Sequence, residues 1–261
     1  MKFKDFYKKY HIVMFTILGI VGVFLLWYLI ALIANTTLMP GPEIVIPIFG
    51  KLLLEANTYQ AIGGTLLRLI IAIALGSIFG LILGIFGGLY PSFRAFIKPL
   101  IVVFRTIPTA AVIFIIIALL RPMFAPVIIV FLITFPILYE SVVSGISNID
   151  QSIIDASKID GSNAFKSTFK LYLPLSKSYI LLGLVSSIGL GMKVSIMAEI
   201  LAGSESEIGL GKMIQNAATI ADMKNVLAYS LIAIIIIGLI DIAMYLLKKR
   251  FKKDSKVKIK K

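Results

Sequence analysis

The chain has 261 residues, no cysteine, 59% hydrophobic residues, a mean hydropathy of +1.00 and a net charge of +13. An ordinary soluble domain is about 45–50% apolar, so a string of soluble globular units is excluded, and without cysteine so are disulfides and thiolate metal sites. The positive charge does not point to nucleic acid, because Lys and Arg sit in flanks and loops beside apolar runs, which is the pattern of membrane orientation.

The first ten residues hold four Lys and lead into an apolar run over 12–34. That run exceeds the roughly 7–15 residues of a signal-peptide core, so it reads as a retained first span. Trp27 and Tyr28 lie towards its far end, where aromatic rings favour the interface, and His11 is a flank residue. Pro40, Gly41, Pro42 and Pro47 mark a turn-rich entry to a short amphipathic helix over 48–56. The second span covers 61–90 and contains Gly76, Gly80, Gly84 and Gly88 at strict four-residue spacing. In hydrocarbon, apolar burial gives helices no drive to associate, and such a face lets a neighbour approach closely. It reads as a packing ridge within the chain rather than a dimerisation motif.

The third span covers 99–120 and contains Arg105 and Pro108. A brief break at 121–126 precedes the fourth span at 127–146, and a polar, Ser-rich stretch then fills 147–172. The fifth span covers 174–201, a polar loop with Gly209 and Gly211 fills 202–224, and the sixth span covers 226–247. The tail, 248–261, reads as a solvated basic segment without a fold of its own. The expectation is therefore one all-α polytopic membrane domain over 1–261 with about six transmembrane helices.

Six spans place both termini on one side, and charge decides which. Of the 26 Lys and Arg, 19 fall on the side of the termini and of the 148–178 stretch, 4 fall opposite, and Arg68, Arg105 and Lys193 fall within spans. The excess marks the termini as cytoplasmic in a multi-pass cell-membrane protein.

A charge inside a span costs about 2.5–3.5 kcal/mol on insertion scales and is usually functional or paired. Arg105, about seven residues into the third span and close to Pro108, either lines a translocation path or snorkels back to the cytoplasmic face. Lys193 and Glu199 lie near the outer part of the fifth span and, six apart, share no helical face. They serve an external gate or a dimer seam on one reading, and snorkel at the interface on the other. The single His has no nucleophile or carboxylate partner nearby, and neither a phosphate-binding loop nor metal-ligand spacing is present. No catalytic residue, metal site or cofactor is expected in this chain. The competing class, an ion-coupled secondary transporter, would use acidic groups near mid-membrane, for which Glu140 and Asp241 are the candidates, but duplicated halves are not seen.

The stretch from Asp155 to Pro174 carries a recognisable spacing. Asp155, Ala156 and Ser157 are followed after three residues by Gly161, and after nine more intervening residues come Leu171, then Leu173-Pro174. This resembles the cytoplasmic EAA loop of binding-protein-dependent ABC importer permeases, whose pattern is Glu-Ala-Ala, three residues, Gly, nine residues, Ile, any residue, Leu-Pro. Arg105-Thr106-Ile107-Pro108, Gly183 to Gly191, Ala198-Glu199 and Gly209-Leu210-Gly211 resemble features of the nitrate, sulfonate and taurine type, with the likeness spanning about 60–220. Arg121-Pro122 stands where a Gly-rich turn is common in that type.

The resemblance implies a type I ABC importer permease fold and a subunit that imports a small anionic or organic solute without hydrolysing ATP itself. It implies a homodimer, an ABC ATPase that uses the ATP, and an extracellular or periplasmic substrate-binding protein as partners. It places the ATPase-coupling contact at Asp155, Ala156, Ser157, Gly161, Leu173 and Pro174 within a loop over 148–174.

Overall fold

The computed structural model describes residues 3–34, 38–120, 124–159, 167–203 and 208–258; Gly161, Arg121 and Pro122 lie outside the described residues. All regular structure among the described residues is helical. The helices are α1 (Phe3–Ile33), α2 (Pro42–Leu52), α3 (Ala56–Leu89), α4 (Pro91–Thr106), α5 (Thr109–Leu119), α6 (Ala125–Ser147) and α7 (Gln151–Ile159). After a π-helical turn at Thr168–Tyr172 come α8 (Leu173–Ala202), α9 (Leu210–Thr219) and α10 (Met223–Lys258). Five segments are long and apolar enough to cross a membrane, and α4 with α5 makes a sixth if that bent pair counts as one span.

The centre of the bundle is α3, α6 and α8. The glycine row of α3 packs on α6 inside the chain, one turn against one turn. An added Cβ would meet Thr134 Oγ1 at 3.2 Å from Gly76, Leu138 Cβ at 2.7 Å from Gly80, Val142 Cβ at 2.6 Å from Gly84 and Ile146 Cβ at 2.8 Å from Gly88. Both series rise in steps of four, so α3 and α6 run in the same direction. The α8 helix returns antiparallel: Gly145 of α6 abuts Ser176 and Tyr179, while Gly183 of α8 abuts Ser141 and Ile137. Replacing Gly84 with Val therefore overpacks the ridge and should cost about 1–3 kcal/mol or more. Thermal unfolding in detergent checks this, with Gly22→Ala on α1 as the neutral control because nothing lies within 4 Å of that glycine.

A second cluster stacks Phe131, Phe135 and Tyr139 of α6 beside Ile97 and Ile101 of α4. The α1 helix lies at the periphery, only 6% of its apolar window being buried. It is tied down by Trp27, whose indole N–H donates to Pro40 O at 3.1 Å.

Several elements differ from their sequence reading. The short helix expected over 48–56 begins earlier, because Pro42 fits a first helical turn and Pro47 sacrifices one hydrogen bond without ending it. The third span is not continuous: α4 and α5 meet at 97°. Pro108 forces the residue before it out of the helical region, and Ile107 is accordingly extended at φ −63°, ψ 130°. Arg105 thus sits in the last turn of α4, at the bend, rather than seven residues into a straight span.

The 202–224 loop contains α9, whose amphipathic face buries Leu210, Ile214 and Ala217. The basic tail continues α10 to Lys258, since no Gly or Pro interrupts 239–258 and Lys and Arg are good helix formers. Pro174 lies in the first turn of α8, which follows the π turn without a break. A continuous apolar helical segment runs over Thr168–Ala202, and the π turn, with Leu173 N–H bonding Thr168 O, shifts the ladder where Pro174 has no donor.

Candidate functional site

Among the described residues, three places bring together polar groups that bear on function. The first is α7, which connects the end of α6 to the segment before α8. Asp150 caps it, accepting from the Ser152 hydroxyl at 2.8 Å and the Ser152 N–H at 3.0 Å, and these bonds, the hydroxyl's first, hold the Asp150 carboxyl below the ordinary aspartate value. Gln151 Nε2 donates to Asp155 Oδ1 at 3.0 Å across one helical turn. Ile153, Asp155 and Ala156 are exposed, and the Ser157 and Ser167 hydroxyls lie 3.4 Å apart across the two sides of the undescribed 160–166. Among the described residues α7 has little contact with the other helices. It is a short arm beside the bundle rather than part of its core.

The second is an open cavity of about 500 Å³ under the α4–α5 bend, lined also by α6 and α8. Its walls are aliphatic and aromatic apart from Arg105 and Thr109. Ile133 and Val194 each lie eight residues from the same end of the bundle, about 12 Å along a helix, which is near the middle of a hydrocarbon core of about 30 Å. Arg105 Nη1 stands 3.8 Å from Glu140 Oε1, with side chains 61% and 41% exposed, so the pair is loose and contributes little by itself.

The third is a buried clasp at the opposite end from α7. Arg68 of α3 and Glu199 of α8 pair at 2.6 Å, with side-chain exposures of 7% and 0%. The other Glu199 oxygen accepts from Thr65 Oγ1 at 2.8 Å and from the Gly211 N–H at 3.0 Å. Leu210 N–H donates to Thr65 Oγ1 at 2.9 Å, and Arg68 Nη2 donates to Ile208 O at 2.9 Å. The carboxylate thus receives one free N–H of the first turn of α9, that of Gly211, where a negative charge is favoured, while the Leu210 N–H is taken by Thr65. A Cβ on Gly209 would fall 2.8 Å from Arg68 Nη1, and one on Gly211 would fall 2.5 Å from Glu199 Cβ. The Gly209-Leu210-Gly211 sequence is therefore what lets α9 dock on the ion pair.

A family model described as "Binding-protein-dependent transport system inner membrane component" matches residues 76–256, more than half of the chain. The chain belongs to this family. The permease is 28% identical over 214 residues to a probable ABC transporter permease protein of Brucella melitensis, covering 82% of this chain and 85% of that one. It is 26% identical over 202 residues to the taurine transport system permease protein of Escherichia coli, covering 76% and 71%. It also matches a putative aliphatic sulfonates transport permease protein of Bacillus subtilis and a nitrate import permease protein of Leptolyngbya laminosa, so among ABC importer permeases it resembles the nitrate/sulfonate/taurine type. A solved bacterial ABC transporter that imports the acidic polysaccharide alginate superposes with a TM-score of 0.65 at 13% identity, over 94% of this chain and 98% of that one, and so shares the type I importer permease fold.

The structure separates residues that the sequence grouped together. Asp155, Ala156 and Ser157 share α7, while Leu173 and Pro174 stand at the head of α8, beyond the π turn. Arg105 and Pro108 meet at the cavity's bend. Lys193 is exposed on α8 and takes no part in the Glu199 cluster. Glu199 does not snorkel: it is wholly buried and held by Arg68, Thr65 and Gly211. Sequence reasoning missed Arg68 and Thr65. The signal was available, since an arginine twelve residues into a 34-residue apolar helix requires a partner, and Glu199 is a carboxylate in an apolar span with the same need.

Proposed function

We propose that this permease conducts a small anionic or organic solute inward across the cell membrane, and that α7 is where an ABC ATPase subunit delivers the work. Both termini lie in the cytoplasm, a second copy of the chain completes the pathway, and an extracellular or periplasmic binding protein presents the solute at the end that carries α9. The observation that carries this reading is the stance of α7. It is short, exposed along Asp155 and Ala156, set apart from the bundle, and joined directly to α6 and, through 160–166, to α8, the helices on which the cavity rests.

Small side chains at Ala156 and Ser157 allow a partner surface to approach α7 closely. Displacing α7 moves the α6 and α8 ends, and the cavity between them opens or shuts. Asp155, Ala156, Ser157, Gly161, Leu173 and Pro174 form the coupling segment, and Lys193 faces outward beyond it on α8. The charge asymmetry supports the orientation, because the α7 end is the basic one.

Affinity purification of a tagged permease from its native membrane tests the assembly. It should retain an ATPase bearing a phosphate-binding loop and an untagged copy of the permease. Recovery of the tagged chain alone, fully folded, would contradict the reading.

A further inference from the structure

We propose that Lys193 of α8 and Asp241 of α10 form a switchable ion pair inside the membrane, open in this structure and closed in another state of the transport cycle. Both are positioning residues, acting through the seat of α10 on α8. The inference rests on the importer reading above for the states between which the pair switches.

Both residues carry charge where charge is disfavoured. Lys193 lies nine residues inside the outer end of α8, and Asp241 lies eight residues before Lys249, within the apolar segments Thr168–Ala202 and Met223–Lys249. Each is about 12–13 Å along its helix from the nearer end, within a hydrocarbon core of about 30 Å. Both are exposed, and neither makes a hydrogen bond or an ion pair among the described residues. Ionisable groups inside spans pair with one another or mark a functional position.

The geometry brings the two within reach. Asp241 leans on the glycine of α8 one turn from the lysine: an added Cβ on Gly189 would fall 2.9 Å from Asp241 Oδ1. Residues four apart on a helix have Cβ atoms about 5–6 Å apart, so the Asp241 carboxylate lies within about 9 Å of the Lys193 Cβ. The flexible four-carbon stem of a lysine spans most of that gap. Helical side chains slope towards the N-terminus of their own helix. Because α8 and α10 run antiparallel, joined through α9 at the outer end, that slope carries Lys193 inward and Asp241 outward, towards each other. Space for the meeting exists, since an added Cβ on Gly238, one turn outward from Asp241, meets nothing within 4 Å. Lys193 also stands between Leu190 and Val194, which line the cavity. Closing the pair therefore ties α10 to one wall of the cavity, and opening it releases that wall.

The test places Lys193→Cys and Asp241→Cys together in the otherwise cysteine-free chain, purified with its ATPase in nanodiscs and treated with a short, membrane-permeant bis-methanethiosulfonate. Intact mass identifies the product. The expected result is a crosslink within one chain, formed at rates that differ at least threefold between the nucleotide-free complex and the complex trapped with ATP and vanadate. Charge reversal is the second measurement: Lys193→Asp or Asp241→Lys alone should change ATP turnover at least threefold, and the two together should return it to within twofold of the parent. Equal crosslinking rates in the two states would leave only a static brace and overturn the switch. A crosslink formed only between chains, no crosslink at all, or a double reversal no nearer the parent than the singles would overturn the pair. The cysteine variant reverses no charge, so crosslinking decides even where a reversed variant fails to insert. Failure to assemble with an ATPase would instead overturn the importer reading, while crosslinking of the permease alone still shows whether the two side chains meet, so the two failures are distinguishable.

Discussion

Replacing Glu199 with Leu should destabilise the permease by about 3–5 kcal/mol, because the buried Arg68 loses the carboxylate that offsets its charge. Glu199 accepts from Arg68, Thr65 and the Gly211 N–H, so the loss also frees the start of α9. The expected signature is a lowered thermal midpoint in detergent together with faster amide exchange over 208–219. Arg68→Met should behave alike, since it strands the carboxylate instead. The double variant Arg68→Met with Glu199→Met should be less damaging than either single change, because no uncompensated charge remains. Singles and double losing stability in simple proportion would show that the two residues act independently, contrary to their 2.6 Å contact.

Ala156→Arg should abolish uptake, with a fall of at least tenfold, while leaving insertion and thermal stability unchanged. Ala156 is exposed on α7, and α7 contributes little to the bundle, so a bulky charged side chain there disturbs no packing within the chain. It would, however, hold a docking partner away from the helix. Uptake of the cognate solute into proteoliposomes, alongside ATP hydrolysis in the same preparation, separates the outcomes: transport should fall further than hydrolysis. Equal and wild-type-like values for both would remove α7 from the coupling path.

Much of the architecture was legible in the sequence because hydrocarbon imposes few choices. Apolar runs of span length must become helices there, since no water satisfies their backbone groups. Glycines at 76, 80, 84 and 88 announce a close approach, and the matching row at 134, 138, 142 and 146 supplies it. What the sequence did not show follows from tertiary placement. Periodicity cannot tell a proline that bends a span by 97°, as Pro108 does, from one absorbed by a π turn, as Pro174 is.

The ion pair was missed because its members are 131 residues apart and the sequence invites comparison of Glu199 with its neighbour Lys193. The α9 helix was taken for a loop because its ten residues are too polar to read as a span and start at glycines. Those glycines serve close packing against Glu199 and Arg68, not a turn. Of the site residues, the spacing from Asp155 to Pro174 was readable as a motif. For Arg105 the sequence left open a path or a snorkelling position, because the cavity it lines exists only once α5 folds back across α6 and α8.

The account depends most on α7 lying in the cytoplasm, within reach of a motor. The natural chain has no cysteine, so a single cysteine replacing the exposed Asp155 reports that location without background. Membrane-impermeant maleimide should label it in inside-out vesicles stripped of ATPase, leave it untouched in intact cells, and react more slowly once the ATPase is restored. Labelling in intact cells would place α7 on the exterior and contradict the account.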